Sequence, residues 1–143
     1  MENSKILRQV LEELIDISSR KTTEAHAVTV MGSLVDRLKK RYDFLKHVEV
    51  KDTRFLEDVD SVSIMTDVDT VSPTEVGKAI YSLIYLMNKS LGKDAGHFFI
   101  KELSRNIGDD FNNIIKDMGV DLSLMQLESQ VTRMERGLLN KTE

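Results

Sequence analysis

The 143-residue sequence contains no cysteine and no tryptophan, a single proline, seven glycines and only 6% aromatic residues. Without cysteine there are no disulfides, thiolate zinc sites, iron–sulfur ligands or cysteine nucleophiles. Proline and glycine are too sparse for an all-β fold built on tight turns. No run reaches the ~18–20 apolar residues of a membrane-crossing helix. The most apolar stretch, 79–87, is too short, so no membrane partner is expected. Glu12 and Glu13 stand where a secretory signal would be apolar, which makes a cytoplasmic location the expectation.

An excess of positive charge is missing as well. The formal net charge is −4, and the acidity is concentrated in residues 48–75, where eight acidic side chains meet two basic ones. Nucleic-acid binding needs a cationic face. The one dense basic run, Arg37, Lys39, Lys40 and Arg41, falls near the end of a predicted helix, where cations complement the macrodipole. Nucleic acid is therefore not an expected partner.

What is present is a balance of 41% apolar and 31% charged residues, that of a folded globular chain. Its length suffices for a core without covalent staples. Apolar periodicity predicts a mainly α fold of about six helices, with a small β-hairpin inserted between helices 2 and 3, in a single domain over 1–143. The first helix runs from about Ser4 to Ser19 on the stripe Ile6, Leu7, Val10, Leu11, Leu14, Ile15 and Ile17, capped by Asn3 or Ser4. The second starts after Thr22 or Thr23 and continues to about Lys46. Gly32 inside it suggests a close approach between helices.

Residues 47–72 lose the helical period and form an acidic, β-like insertion, with strands at about 47–51 and 61–66. Ser72-Pro73-Thr74-Glu75 has the pattern of a capping box with proline at the first helical position. The helix that follows reaches Leu91. It is apolar nearly all round and so is expected to be central, with Gly92 as its left-handed C-terminal residue. Further helices are expected from Asp94 to Asn106, from Gly108 to Met118, and, capped by Asp121, over about 122–139.

The last helix has the sharpest pattern. Leu124, Leu127, Val131, Met134 and Leu138 are spaced three, four, three and four, which is an a/d heptad seam. Leu7, Val10, Leu14 and Ile17 repeat the spacing in the first helix. These terminal seams predict self-association, most simply as a homodimer.

Candidate chemistry is thin. Asp58/Asp60 and Asp67/Asp69 are Asp-x-Asp pairs, and on a strand each pair would present two carboxylates to a cation. Asp67-Val-Asp-Thr-Val71 resembles the nucleophile motif of haloacid-dehalogenase-type phosphatases, and Ile107-Gly-Asp-Asp-Phe-Asn112 resembles the magnesium-binding stretch of the same superfamily. That resemblance implies a first aspartate attacking phosphorus, a second acting as acid/base, and a doubly wound parallel sheet. It is confined to those two stretches, and residues 72–106 between them read as helices, where the sheet would need strand–helix alternation. The acidic pairs are therefore read as a solvated edge that discourages strand aggregation. Asp67, Asp69, Asp109 and Asp110 remain the weak metal candidates.

Gly92-Lys-Asp-Ala-Gly96 lacks the Gly-Lys-Ser/Thr ending of a P-loop and reads as a helix–helix turn. His26, His47 and His97 are too far apart in sequence to form a helical metal pair. Tyr81, Tyr85, Phe98, Phe99 and Met87 read as core in preference to a ligand pocket. No catalytic constellation is complete and no cofactor is called for. The expected function is a non-enzymatic interaction or regulatory module. The alternative is a small-ligand sensor or enzyme with its site near His97, Asp109 and Asp110, Asp94 orienting the imidazole.

Overall fold

The first 21 residues set the frame of the molecule. Helix α1 (Asn3–Lys21) turns seven aliphatic side chains inward, and Leu7, Val10, Leu11, Leu14 and Ile17 lose all contact with solvent. It packs against α2 (Glu24–Leu38), α3 (Pro73–Ser90) and α5 (Phe99–Asp117), and against the second strand of the hairpin. The computed structural model describes residues 1–52 and 60–142, with side chains throughout except at 93, 94, 133 and 135–142. Between α2 and α3 lie a 3₁₀ turn at Asp43–His47, strand β1 (Val48–Val50), strand β2 (Val62–Ile64) and a second 3₁₀ turn at Thr66–Thr70. Between α3 and α5 is the single-turn α4 (Gly92–Ala95), and α6 (Leu122–Thr142) closes the chain.

The fold is mainly helical with a two-stranded antiparallel sheet where the hairpin was expected. Val48 pairs with Ile64 and Val50 with Val62. Alternation puts these four side chains on one face, with Val48 and Val62 fully buried beneath it. Among the described residues five long helices and the short α4 replace the six expected, because the pieces foreseen at 94–106 and 108–118 run on as α5. A break survives at Gly108, whose φ of 81° and ψ of 168° suit glycine almost exclusively. Asn112 stabilises the kink by donating to the carbonyls of Ser104 (2.7 Å) and Gly108 (2.8 Å).

Several local expectations change. The chain leaves α2 at Leu38, not near Lys46, and the turn and 3₁₀ segment that follow bury Tyr42 and Leu45 separately. Asn3 and Ser4 lie inside α1, whose N-cap position is Glu2. Ser72 precedes α3 as foreseen, but its side chain makes no capping bond, and Glu75 pairs instead with Lys78 at 3.1 Å. The central helix is α1, not α3: Tyr81 and Tyr85 on α3 face solvent. Thr23 does cap α2, accepting the His26 N–H at 3.1 Å. Lys39 of the basic run pairs with Asp36, and the Arg41 guanidinium lies over the Tyr42 ring.

Gly32 does not mark a close helix approach, since a Cβ there would meet nothing within 4 Å. Gly32→Ala is accordingly expected to stabilise the protein by about 0.5–1 kcal/mol through lost backbone entropy of the unfolded chain. A denaturant titration showing an unchanged or lower midpoint would contradict the open environment.

Candidate functional site

Among its described side chains, helix α6 is held on one side. Asp121 Oδ1 accepts the Leu124 N–H at 3.1 Å and starts the helix as the sequence suggests. Leu122 and Met125 are buried against α5 and the turn before α6. Gln126 adds a polar clamp: its Oε1 accepts the Lys101 N–H at 3.2 Å and its Nε2 donates to the His97 carbonyl at 3.1 Å. Lys101 lies in the first turn of α5, where backbone donors lack helical partners and Phe98 supplies no side-chain cap. Gln126 therefore caps α5 from another helix, a role with no signal in the local sequence.

At about 100° per residue, Leu122, Met125 and Ser129 point one way and Leu124, Leu127, Val131 and Met134 the opposite way. That second face is bare. Leu124 is 51% exposed, Leu127 56%, Val131 44% and Met134 68%. Scattered surface leucines are ordinary, but an unbroken row of four on one helix face is not. Tyr81 on α3 lies close enough to Glu128 of α6 to feel its carboxylate. Partial burial, followed by that carboxylate, raises the phenol above its ordinary value. Tyr85, one turn further along α3, is 52% exposed. The sequence reading placed both tyrosines in the core. The Leu138 side chain lies outside the described residues.

The first helix does not share this property. Leu7, Val10 and Leu14 are wholly interior to one chain, which corrects their assignment as interface residues. Their spacing matches that of α6, but α2, α3, α5 and β2 already cover them.

The acidic candidates have structural work or stand apart. Asp67 and Asp69 lie on a 3₁₀ turn, not on a strand, and their carboxylates take different partners. Asp69 Oδ1 accepts the Ser4 N–H at 2.7 Å and caps α1 from across the fold, while Asn3 Nδ2 donates back to the carbonyls of Val68 and Val71. Asp67 lies 4.0 Å from His47 Nε2. Asp60 meets Arg8 at 3.4 Å, and Asp58 is outside the described residues.

Asp109 lines an open polar cleft of about 440 Å³ with Ser104, Asn112, Lys116 and Asp121, but Asp110 and His97 are not among its walls. The His97 ring instead lies edge-on to Phe98, with centroids 4.2 Å apart. The Asp94 side chain proposed to orient it is outside the described residues. The Gly-Asp-Asp stretch begins at the Gly108 kink inside helix α5, and the described sheet is an antiparallel hairpin, so the phosphatase arrangement implied by the two motifs is not formed. Among the described residues no three histidine or acidic side chains come together as a metal site.

Losing the remote cap has a measurable consequence. Asp69→Ala is expected to cost about 1–2 kcal/mol, because a partly buried charge-assisted bond to a helix N-terminus disappears. In a chain of this size that lowers the melting midpoint by about 2–8 °C. Asp69→Asn, which keeps an acceptor oxygen, should recover much of the loss. Equal melting of all three proteins would remove Asp69 from the capping role.

No helix among the described residues is long and apolar enough to cross a membrane. No protein-family model, curated protein or solved structure matches this chain.

Proposed function

We propose that the protein is a helical interaction module that pairs with a second copy of itself through the outer face of α6, acting as an adaptor or regulator without chemistry of its own. The observation that carries this reading is the row Leu124, Leu127, Val131 and Met134, apolar, unbroken and 44–68% exposed, on a helix whose opposite face is already docked. A second copy suits it because a two-fold interface presents the same patch from both sides and must be self-complementary. An a/d seam meets that requirement: each knob finds a hole in an identical helix.

The magnitudes set the expected strength. Full burial of a large aliphatic side chain is worth about 1.5–3 kcal/mol, so covering the exposed half gains about 1 kcal/mol each. Eight such side chains across a dimer give a gross gain of about 8 kcal/mol, against an association cost of about 4–15 kcal/mol. The dimer should be weak and concentration-dependent.

Sedimentation equilibrium from about 1 to 200 micromolar should therefore pass from monomer toward dimer. The double variant Leu127→Glu, Met134→Glu should remain monomeric with an unchanged far-ultraviolet spectrum, since both side chains face solvent in one chain and would be buried charges in two. A wild-type chain that stays monomeric across the range, or a charged variant that still associates, refutes the proposal.

A further inference from the structure

The cleft of about 440 Å³ lies where α5, past the Gly108 kink, faces the start of α6. Its polar groups divide into those the fold uses and those it leaves open. Asn112 is engaged: its amide donates to the carbonyls of Ser104 and Gly108 and accepts from the Ser104 hydroxyl at 3.1 Å. Asp121 caps α6. Asp109, Asn113 and Lys116 line the same cleft, and among the described residues no hydrogen bond or ion pair engages the side chain of any of the three. Opposite charges thus share one cavity without meeting. We infer that this cleft binds a small zwitterion of dipeptide length, with its ammonium at Asp109, its peptide group at Asn113 and its carboxylate at Lys116.

The order of the three groups carries the argument. Steps of four and then three residues place 109, 113 and 116 in one row on a helix face. Along that row α5 presents an anion, an amide and a cation. An extended dipeptide presents the complement: an ammonium, a peptide group and a carboxylate. At 1.5 Å per residue, Asp109 and Lys116 are about 10 Å apart along the axis. A dipeptide spans about 7 Å, and the flexible lysine arm covers the difference. The Asn113 amide carries both a donor and an acceptor, which is what a peptide group needs from a partner. The volume falls within the range of small-molecule sites. Asp121 gives the cleft more negative than positive charge, so the ammonium end is the more firmly held and a simple anion is disfavoured. The site is distinct from the outer stripe of α6 and does not depend on self-pairing.

The test titrates glycylglycine into the full-length, ¹⁵N-labelled protein at low salt and follows the backbone amides by NMR. Saturable shifts confined to residues 104–123 are expected, with a midpoint in the millimolar range for so small a ligand. N-Acetylglycylglycine lacks the ammonium and glycylglycinamide lacks the carboxylate. Each should bind about two- to fivefold more weakly, the acetylated one more so, since a solvent-exposed ion pair supplies no more than that. Asp109→Asn should abolish the preference for glycylglycine over its acetylated form, and Lys116→Met the preference over the amide. Both residues are exposed, so melting should be unchanged. The blocked dipeptides are compared on the native chain, so that result does not depend on how the variants fold. No saturable shift up to about 100 millimolar, saturation mapped outside 104–123, or blocked dipeptides that bind as well as glycylglycine would each overturn the inference. Displacement of glycylglycine by an equal concentration of acetate would make the cleft a simple anion site and overturn it too.

Discussion

Replacing Gly77 with alanine is expected to destabilise the fold by about 2–4 kcal/mol, within the range of overpacked cores. Gly77 lies on the buried face of α3, against the turn that links α5 to α6. A Cβ there would overlap the carbonyl oxygen of Met118 and lie 2.8 Å from its carbonyl carbon. Both atoms are backbone, so no rotamer change relieves the overlap. Either α3 shifts away from the end of α5, or the turn before α6 moves and carries the docked face of α6 with it. Denaturant titration followed by circular dichroism measures the loss. Gly32→Ala is the internal control, because the same added methyl in open space should shift the midpoint the other way. A Gly77→Ala midpoint equal to wild type would mean that α3 and the 118 turn are not in contact.

The second large effect separates two identical-looking patterns. Leu14→Ala is expected to cost about 2–5 kcal/mol, the range for truncating a fully buried leucine and leaving a cavity. Its effect on self-association, measured on the folded fraction, should be small. The charged α6 variant should behave in the reverse way, with little change in stability and loss of the dimer. Leu14 is entirely buried and Leu127 is 56% exposed, yet each belongs to a three–four heptad spacing. If Leu14→Ala abolished pairing at unchanged stability, α1 would be restored as an interface and the core described above would be wrong.

The features legible in the sequence were those whose cause is local. Thr23 and Asp121 accept a backbone N–H three residues ahead, so the cap lies within a single turn of chain. Pro73 starts α3 because its fixed φ suits the first helical position. Gly108 interrupts α5 because a residue free of Cβ is needed at that φ and ψ. The hairpin showed itself by alternating valines.

Features that depended on distant residues were invisible. Asp69 looked like half of a cation site, but the N-terminus of α1, brought next to it by folding, uses the carboxylate as a cap. Gln126 looked like a surface polar residue and is a clamp on the start of α5. Gly77 carried no special pattern, and Gly32, which did, stands in open space. Asp109 and His97, joined in the alternative ligand site, line different surroundings.

The candidate interface divides along the same line. Apolar periodicity established that α1 and α6 each carry a narrow greasy face, since the 3.6-residue repeat converts spacing into direction without reference to any neighbour. It was silent on what covers each face. Packing decided that: α1 is enclosed by three helices and a strand, while α6 spends Leu122 and Met125 on docking and turns Leu124 to Met134 away from the core. A helix has only one side for each neighbour, so the first contact made determines which side is left over.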